Sequence, residues 1–113
     1  MNAFYTMKYF GKAGAGGGTV YIGRGVVVGI DIQGGKIDGT YEVVGDRMKG
    51  AVKIIAPKEG STLVTGQTLS GGEEFVLRFD LPASSFADGT PQMLKGYGGE
   101  ALLVAFEKVR DLA

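Results

Sequence analysis

Acid–base or nucleophilic chemistry in this chain would have to be built from carboxylates, lysines, tyrosines and serines, because its 113 residues include no histidine and no cysteine. A general base would then be Asp, Glu, Lys or Tyr. The carboxylates that come in pairs are Glu73-Glu74, Asp31 with Asp38, and Asp80 with Asp88. Neighbouring residues of a strand project to opposite faces, so Glu73 and Glu74 cannot share a site if both lie in one. Ser84-Ser85 has no histidine to activate it, which excludes a Ser-His-Asp triad. Zinc, haem and copper lose their usual ligands, and nothing resembles the D-x-D-x-D-G calcium loop. The glycine-rich GKAGAGGG (11–18) is not a G-x-G-x-x-G turn between strand and helix, and no G-x-x-x-x-G-K-[ST] occurs. It reads as a flexible hairpin loop, and the paired carboxylates read as solvated surface charge. The expectation is a protein that is not an enzyme and carries no cofactor or metal.

Composition narrows the partners. Twelve basic and twelve acidic residues give a net charge of zero, and no run of Lys or Arg is visible. Direct nucleic-acid binding, which draws on clustered positive charge, is not expected. Little self-repulsion keeps copies apart, so self-association is. No apolar run approaches the ~18 residues of a membrane span. The start, MNAFYTMKYFGKAG, lacks a basic stretch followed by an apolar one, so no secretory signal is read there. With no cysteine, a cytoplasmic home fits.

The elements that must position any site are short strands. Glycine makes up 21 of the 113 residues, about three times the usual share, and is spread between apolar runs as turns and bulges require. The clearest pattern is GTYEVVGDRMKGAVKII (39–55). Folded about Gly45-Asp46, a suitable primed turn, it sets Val44 opposite Arg47, Val43 opposite Met48, Glu42 opposite Lys49, and Tyr41 over the bare Gly50. One face then carries Tyr41, Val43, Met48, Val52 and Ile54. The other carries Thr40, Glu42, Lys49 and Lys53, with Glu42 and Lys49 a cross-strand pair of opposite charge.

FVLRFDL (75–81) alternates as cleanly, with Phe75, Leu77, Phe79 and Leu81 inward, and Pro82 ends it. FYTMKYF (4–10) places Tyr5, Met7 and Tyr9 on one face. TVYIGRGVVVGIDI (19–32) reads as one long coiled strand with bulges, or as two strands. TLVTGQTL (62–69) and QMLKGY (92–97) are weaker strand candidates. In EALLVAFEKVRDLA (100–113) residue propensity favours a helix, with Leu102, Leu103, Phe106 and Val109 at helical spacing, yet Leu102, Val104 and Phe106 also alternate. The longest loop, PASSFADGTP (82–91), reads as a lid, a partner contact or a plain connection.

Strands in series joined by tight turns predict one all-β domain spanning 1–113. It would be an antiparallel meander closed as an up-and-down barrel, or else a sandwich. Its interior would be filled by side chains or would hold a small apolar pocket. The candidate lining is Tyr5, Met7, Tyr21, Tyr41, Val43, Met48, Phe75 and Phe79.

The assembled features resemble a known family. An aromatic first strand, FYTMKYF (4–10), is followed by a glycine-bearing loop. Then come GVVV (25–28), the pair Gly34-Gly35, the G-x-Y of Gly39 and Tyr41 opening a hairpin that continues as MKGAVKI (48–54), and a closing VRDL (109–112). This pattern is similar to the GrlR-like negative regulators of type III secretion and runs from about residue 4 to 112. The resemblance implies an eight-stranded, lipocalin-like β-barrel with residues 100–113 as its closing strand. It implies a homodimer that acts by capturing a protein partner, a transcriptional regulator in the best-known members. Where the family has an acidic surface run this chain has Val44-Gly45-Asp46-Arg47, so no partner-binding residue is carried over. A small apolar-ligand carrier is the alternative.

Overall fold

The computed structural model of the chain describes residues 1–96 and 99–112. Eight strands close into an antiparallel barrel: β1 (Asn2–Gly11), β2 (Gly14–Gly23), β3 (Val26–Asp31), β4 (Lys36–Val44), β5 (Arg47–Ile55), β8 (Glu74–Pro82), β9 (Gln92–Gly96) and β10 (Ala101–Asp111). Each pairs with its chain neighbour in the barrel, and β10 returns to pair with β1. Between β5 and β8 the chain makes a small separate hairpin of β6 (Ser61–Thr62) and β7 (Thr68–Leu69). No helix occurs among the described residues. Closure covers most of the strand edges, although among the described residues β8 meets β9 only at Leu77–Gly96 and Arg78–Lys95.

The hairpin of β4 and β5 has the register that turn, charge and burial jointly demand. Val44 faces Arg47, Val43 faces Met48, Glu42 faces Lys49 and Tyr41 faces Gly50. Gly45 takes the positive φ of 61° that the turn needs. The ring lying over Gly50 comes from the other neighbour, however. Gly50 is also opposite Phe79 of β8, and a Cβ there would come within 2.8 Å of the Phe79 ring and onto the Thr40 carbonyl.

The interior follows period two around the ring. Ala3, Tyr5 and Met7 of β1, Val20 and Ile22 of β2, and Val27 of β3 are buried. So are Ile37 of β4, Met48 and Val52 of β5, the β8 series Phe75 to Leu81, Leu94 of β9, and Leu102, Val104 and Phe106 of β10. The C-terminal segment is therefore strand, against its helix propensity. A helix would gather Leu102, Leu103, Phe106 and Val109 on one side, but Leu103 and Val109 lie exposed while Leu102, Val104 and Phe106 are buried. As a strand, this segment also pairs the edges of both β1 and β9, which a helix would leave open. A bulge at Val109 shifts the β1–β10 register, so Phe4 faces Arg110 and Tyr5 faces Lys108.

Two other segments, 11–18 and 62–69, differ from expectation, while 19–32 takes the two-strand form of its two expected ones. The stretch 11–18 is mostly strand, and its connection is only Lys12-Ala13. Gly16 is opposite Tyr9, whose ring occupies the place a Cβ would take, so glycine here makes room for a neighbour rather than for flexibility. Residues 19–32 are parts of two strands, turned at Arg24-Gly25 with φ of 53° and 82°. Residues 62–69 hold strand only at their ends. In QMLKGY, β9 covers Gln92–Gly96, and Tyr97 lies outside the described residues.

Candidate functional site

The barrel has two differently closed ends. The upper end carries the turns after β1, β3, β5 and β9. There the β6–β7 hairpin folds over the opening, tied down where the Ala13 amide donates to the Val64 carbonyl at 2.8 Å. The lower end is stopped by the 82–91 connection. Its Phe86 is buried, with ring centroids 5.1 Å from Tyr5 and 5.6 Å from Phe106. Asp46 secures this connection from the β4–β5 turn, accepting from the Ala83 amide (2.8 Å) and from Ser84 (3.3 Å). The loop is thus a plug, and Ser84 and Ser85 stay exposed.

Between the two ends lies a cavity of about 80 Å³. Its lining is apolar: Met7, Val20, Ile22, Met48, Phe75 and Phe79 belong to it, as do Leu63 and Val64 of the covering hairpin. The polar exceptions are Tyr9, Asp31 and Thr65. The Tyr9 hydroxyl donates to the Gly17 carbonyl at 3.3 Å. Burial raises the Tyr9 pKa well above that of an ordinary phenol, and the negative charge of the Asp31 carboxylate beside it raises it further. Asp31 itself organises a turn, its Oδ1 accepting from the amides of Gln33 (2.9 Å) and Gly35 (2.8 Å).

Of the residues expected to line the interior, Met7, Met48, Phe75 and Phe79 meet on this cavity. Tyr5 is buried below it, against Phe86. Its pKa is raised by burial, an effect the nearby Lys108 opposes. Tyr41 is half-buried against the core without reaching the cavity. Val43 has the inward phase of β4 but stands 50% exposed, because the β3 pairing ends opposite Thr40 and leaves Val43 with a strand neighbour on the β5 side alone. Tyr21 points outward: Val20 and Ile22 on either side of it fill the interior, so alternation leaves it no other choice. Outside, its ring meets Phe4 edge-on at 5.8 Å and its hydroxyl donates to Asn2 Oδ1 at 2.6 Å. The lining missed from the sequence includes Val20, Ile22 and the 63–65 segment. The first two were signalled by the β-branched alternation of TVYI.

The paired carboxylates do not converge. Asp31 faces in and Asp38 faces out, Asp80 is held by Arg47 at 2.8 Å on the outer wall, and Asp88 sits in the lower loop with its carboxylate accepting from the Thr90 amide at 2.9 Å. Among the described residues no three His, Cys, Asp or Glu side chains come together as a metal ion would need. An open cleft at the lower end is bordered by Tyr5, Ser84, Asp88, Lys108 and Asp111, and there Lys108 is engaged by Asp111 at 3.0 Å.

The outer wall is divided. On β4, β5 and β8 the outward positions include Lys36, Asp38, Glu42, Arg47, Lys49, Lys53, Glu74, Arg78 and Asp80, laced by Arg47–Asp80 and Lys53–Glu74. On β1, β2 and β3 they are Phe4, Thr6, Lys8 and Phe10, then Ala15, Gly17, Thr19 and Tyr21, then Val26, Val28 and Ile30. Lys8 alone is charged there. No protein-family model, curated protein or solved structure matches this chain. No helix among the described residues is long and apolar enough to cross a membrane.

Proposed function

We infer that this barrel is a non-enzymatic, protein-binding regulator of the GrlR-like, lipocalin-like kind, a cytoplasmic homodimer that captures a protein partner, with a transcriptional regulator as the expected class. The observation that carries the reading is the divided exterior around a nearly filled interior. A cavity of about 80 Å³ is well below the ~300 Å³ at which pockets for ordinary small ligands begin, which disfavours the apolar-carrier alternative. A barrel without that room acts through its outside, and an outer face with exposed Phe4, Val28 and Ile30 is the kind of surface that proteins cover.

The test is affinity capture from the native cells with the tagged barrel, using a denatured barrel as the control. One protein recovered in stoichiometric amount, whose binding to DNA the barrel abolishes in a mobility-shift assay, is the expected result. Recovery of nothing above the control, together with a small molecule retained in native mass spectrometry, would replace this reading with the carrier.

A further inference from the structure

We propose that the splayed end of the β8–β9 pair is a docking groove for an extended, acidic segment of a partner protein, a step that rests on the reading of the barrel as a protein-binding module and names the kind of segment it takes. The first argument is the backbone. Among the described residues β8 and β9 pair only at Leu77–Gly96 and Arg78–Lys95. The same register carried on would set Phe79 opposite Leu94, Asp80 opposite Met93 and Leu81 opposite Gln92, and none of these pairs forms. Neither strand has ended there. β8 stays paired to β5 as far as Pro82, and β9 stays paired to β10 as far as Gln92. Each turns an unmatched edge toward the other, and the amides and carbonyls of such an edge are a template for another extended chain.

Charge gives the second argument. Arg78 and Lys95 stand directly opposite each other, both exposed on the outer wall, although like charges so placed repel. Lys49 borders the same groove. The acid in its lining, Asp80, is held by Arg47 Nε at 2.8 Å. In a chain that is neutral as a whole, this is a local surplus of positive charge. Acidic side chains laid in the groove relieve the repulsion between Arg78 and Lys95.

Shape gives the third. The groove has a volume of about 470 Å³, with Phe79 and Met93 in its lining. Met93 is 62% exposed, an apolar contact left uncovered. Side chains of an added strand alternate between its faces. A segment of acidic and apolar residues in turn therefore sets its acids outward, beside Arg78, Lys95 and Lys49, and its apolar side chains inward, toward Phe79. A nucleic acid would meet the cations but has no peptide groups at strand spacing to pair with the open edges.

The probe is a heptapeptide alternating glutamate with valine, fluorescein-labelled at its start and amidated at its end. Fluorescence anisotropy with the barrel is expected to show saturable binding at low salt that weakens as salt is added. Lys95→Glu places an acid opposite Arg78, a pairing that favours the fold, and is expected to weaken binding ~10-fold or more. Lys8→Glu, on β1 and two strands away from β9, leaves binding unchanged. Proline at the centre of the peptide removes a strand amide and is expected to abolish most of the binding. Should Lys95→Glu disturb the barrel, amide hydrogen exchange of the wild type decides, with the peptide expected to slow exchange within 79–81 or 92–93 and not on β2 or β3.

A peptide that shows no saturable binding, or that binds Lys95→Glu as well as wild type, overturns the groove. A regulator still captured by the Lys95→Glu barrel then leaves the regulatory reading standing. Equal binding of the proline peptide would mean that charge alone is read, and overturns the strand addition. A single-stranded oligonucleotide of the same charge that binds more tightly than the peptide would give the cations to nucleic acid and equally overturn the proposal.

Discussion

Replacing Phe86 with alanine tests whether the 82–91 connection belongs to the core or merely passes over it. Phe86 is 3% exposed, and its ring touches those of Tyr5 and Phe106. Returning a buried phenyl group to water costs about 1.5–3 kcal/mol. Each aromatic contact adds about 0.5–1.5 kcal/mol. The surrounding strands are held by barrel hydrogen bonds and cannot collapse into the space, so the expected loss lies at about 3–5 kcal/mol. At roughly 4 °C per kcal/mol for a chain of this size, the midpoint of thermal unfolding falls by about 12–20 °C. Urea unfolding monitored by far-ultraviolet circular dichroism measures the loss directly, with Ser85→Ala on the exposed side of the same loop expected within about 0.5 kcal/mol of wild type. A Phe86→Ala loss under ~1 kcal/mol would refute the reasoning. It would mean that the lower end is open in solution and that the loop behaves as a lid.

Gly50→Ala places a Cβ onto the Thr40 carbonyl and 2.8 Å from the Phe79 ring, and is expected to cost about 1–3 kcal/mol in the same urea assay. Alkaline pH acts through Tyr5 and Tyr9, whose folded pKa values are both raised above 10.0. The folded protein keeps protons that the unfolded chain loses, so their stabilising contribution is full below pH 10 and declines as pH rises beyond it. Tyr9→Phe is expected to flatten that decline, and an unchanged slope would show that Tyr9 is solvated. Arg47→Ala removes an exposed ion pair with Asp80 and is expected to change stability by no more than about 1 kcal/mol. A larger loss would mean that the charged wall is structural.

The fold was legible where one register met several demands together. In residues 39–55 the turn glycine, the Glu42–Lys49 pair and the burial of Met48 and Val52 all choose the same pairing, and the structure has it. Residues 75–81 were legible because Phe75, Leu77, Phe79 and Leu81 admit one inward face. Local reading failed where the deciding partner is far along the chain. Nothing near Gly16 says that the Tyr9 ring covers it, and nothing in 100–113 says that two open strand edges await it. Tyr21, expected to line the interior, lies outside it. A large aromatic suits a core, but two β-branched neighbours already held the inward phase. Phe86 and the 63–65 segment sit in connections, where no period exists to assign a face.

The zero net charge conceals an arrangement. Balanced acids and bases could be scattered evenly, and the barrel would then show mixed polarity on every side. Instead, opposite charges alternate across β4, β5 and β8 and partly neutralise one another in place, while β1, β2 and β3 do almost without charge. A wall of paired charges stays hydrated at little cost and resists burial, because its charges would have to leave water. An apolar wall of similar extent, left bare, exposes Val28 and Ile30 to water, and covering it is favourable whatever covers it. The two walls therefore divide the surface by consequence: the apolar one gains from being buried in an assembly, and the charged one stays outermost when it is. A partner docked on the apolar wall would leave the charged wall in solvent, and its binding would hold or strengthen with added salt, whereas a partner docked on the charged wall would be released by it.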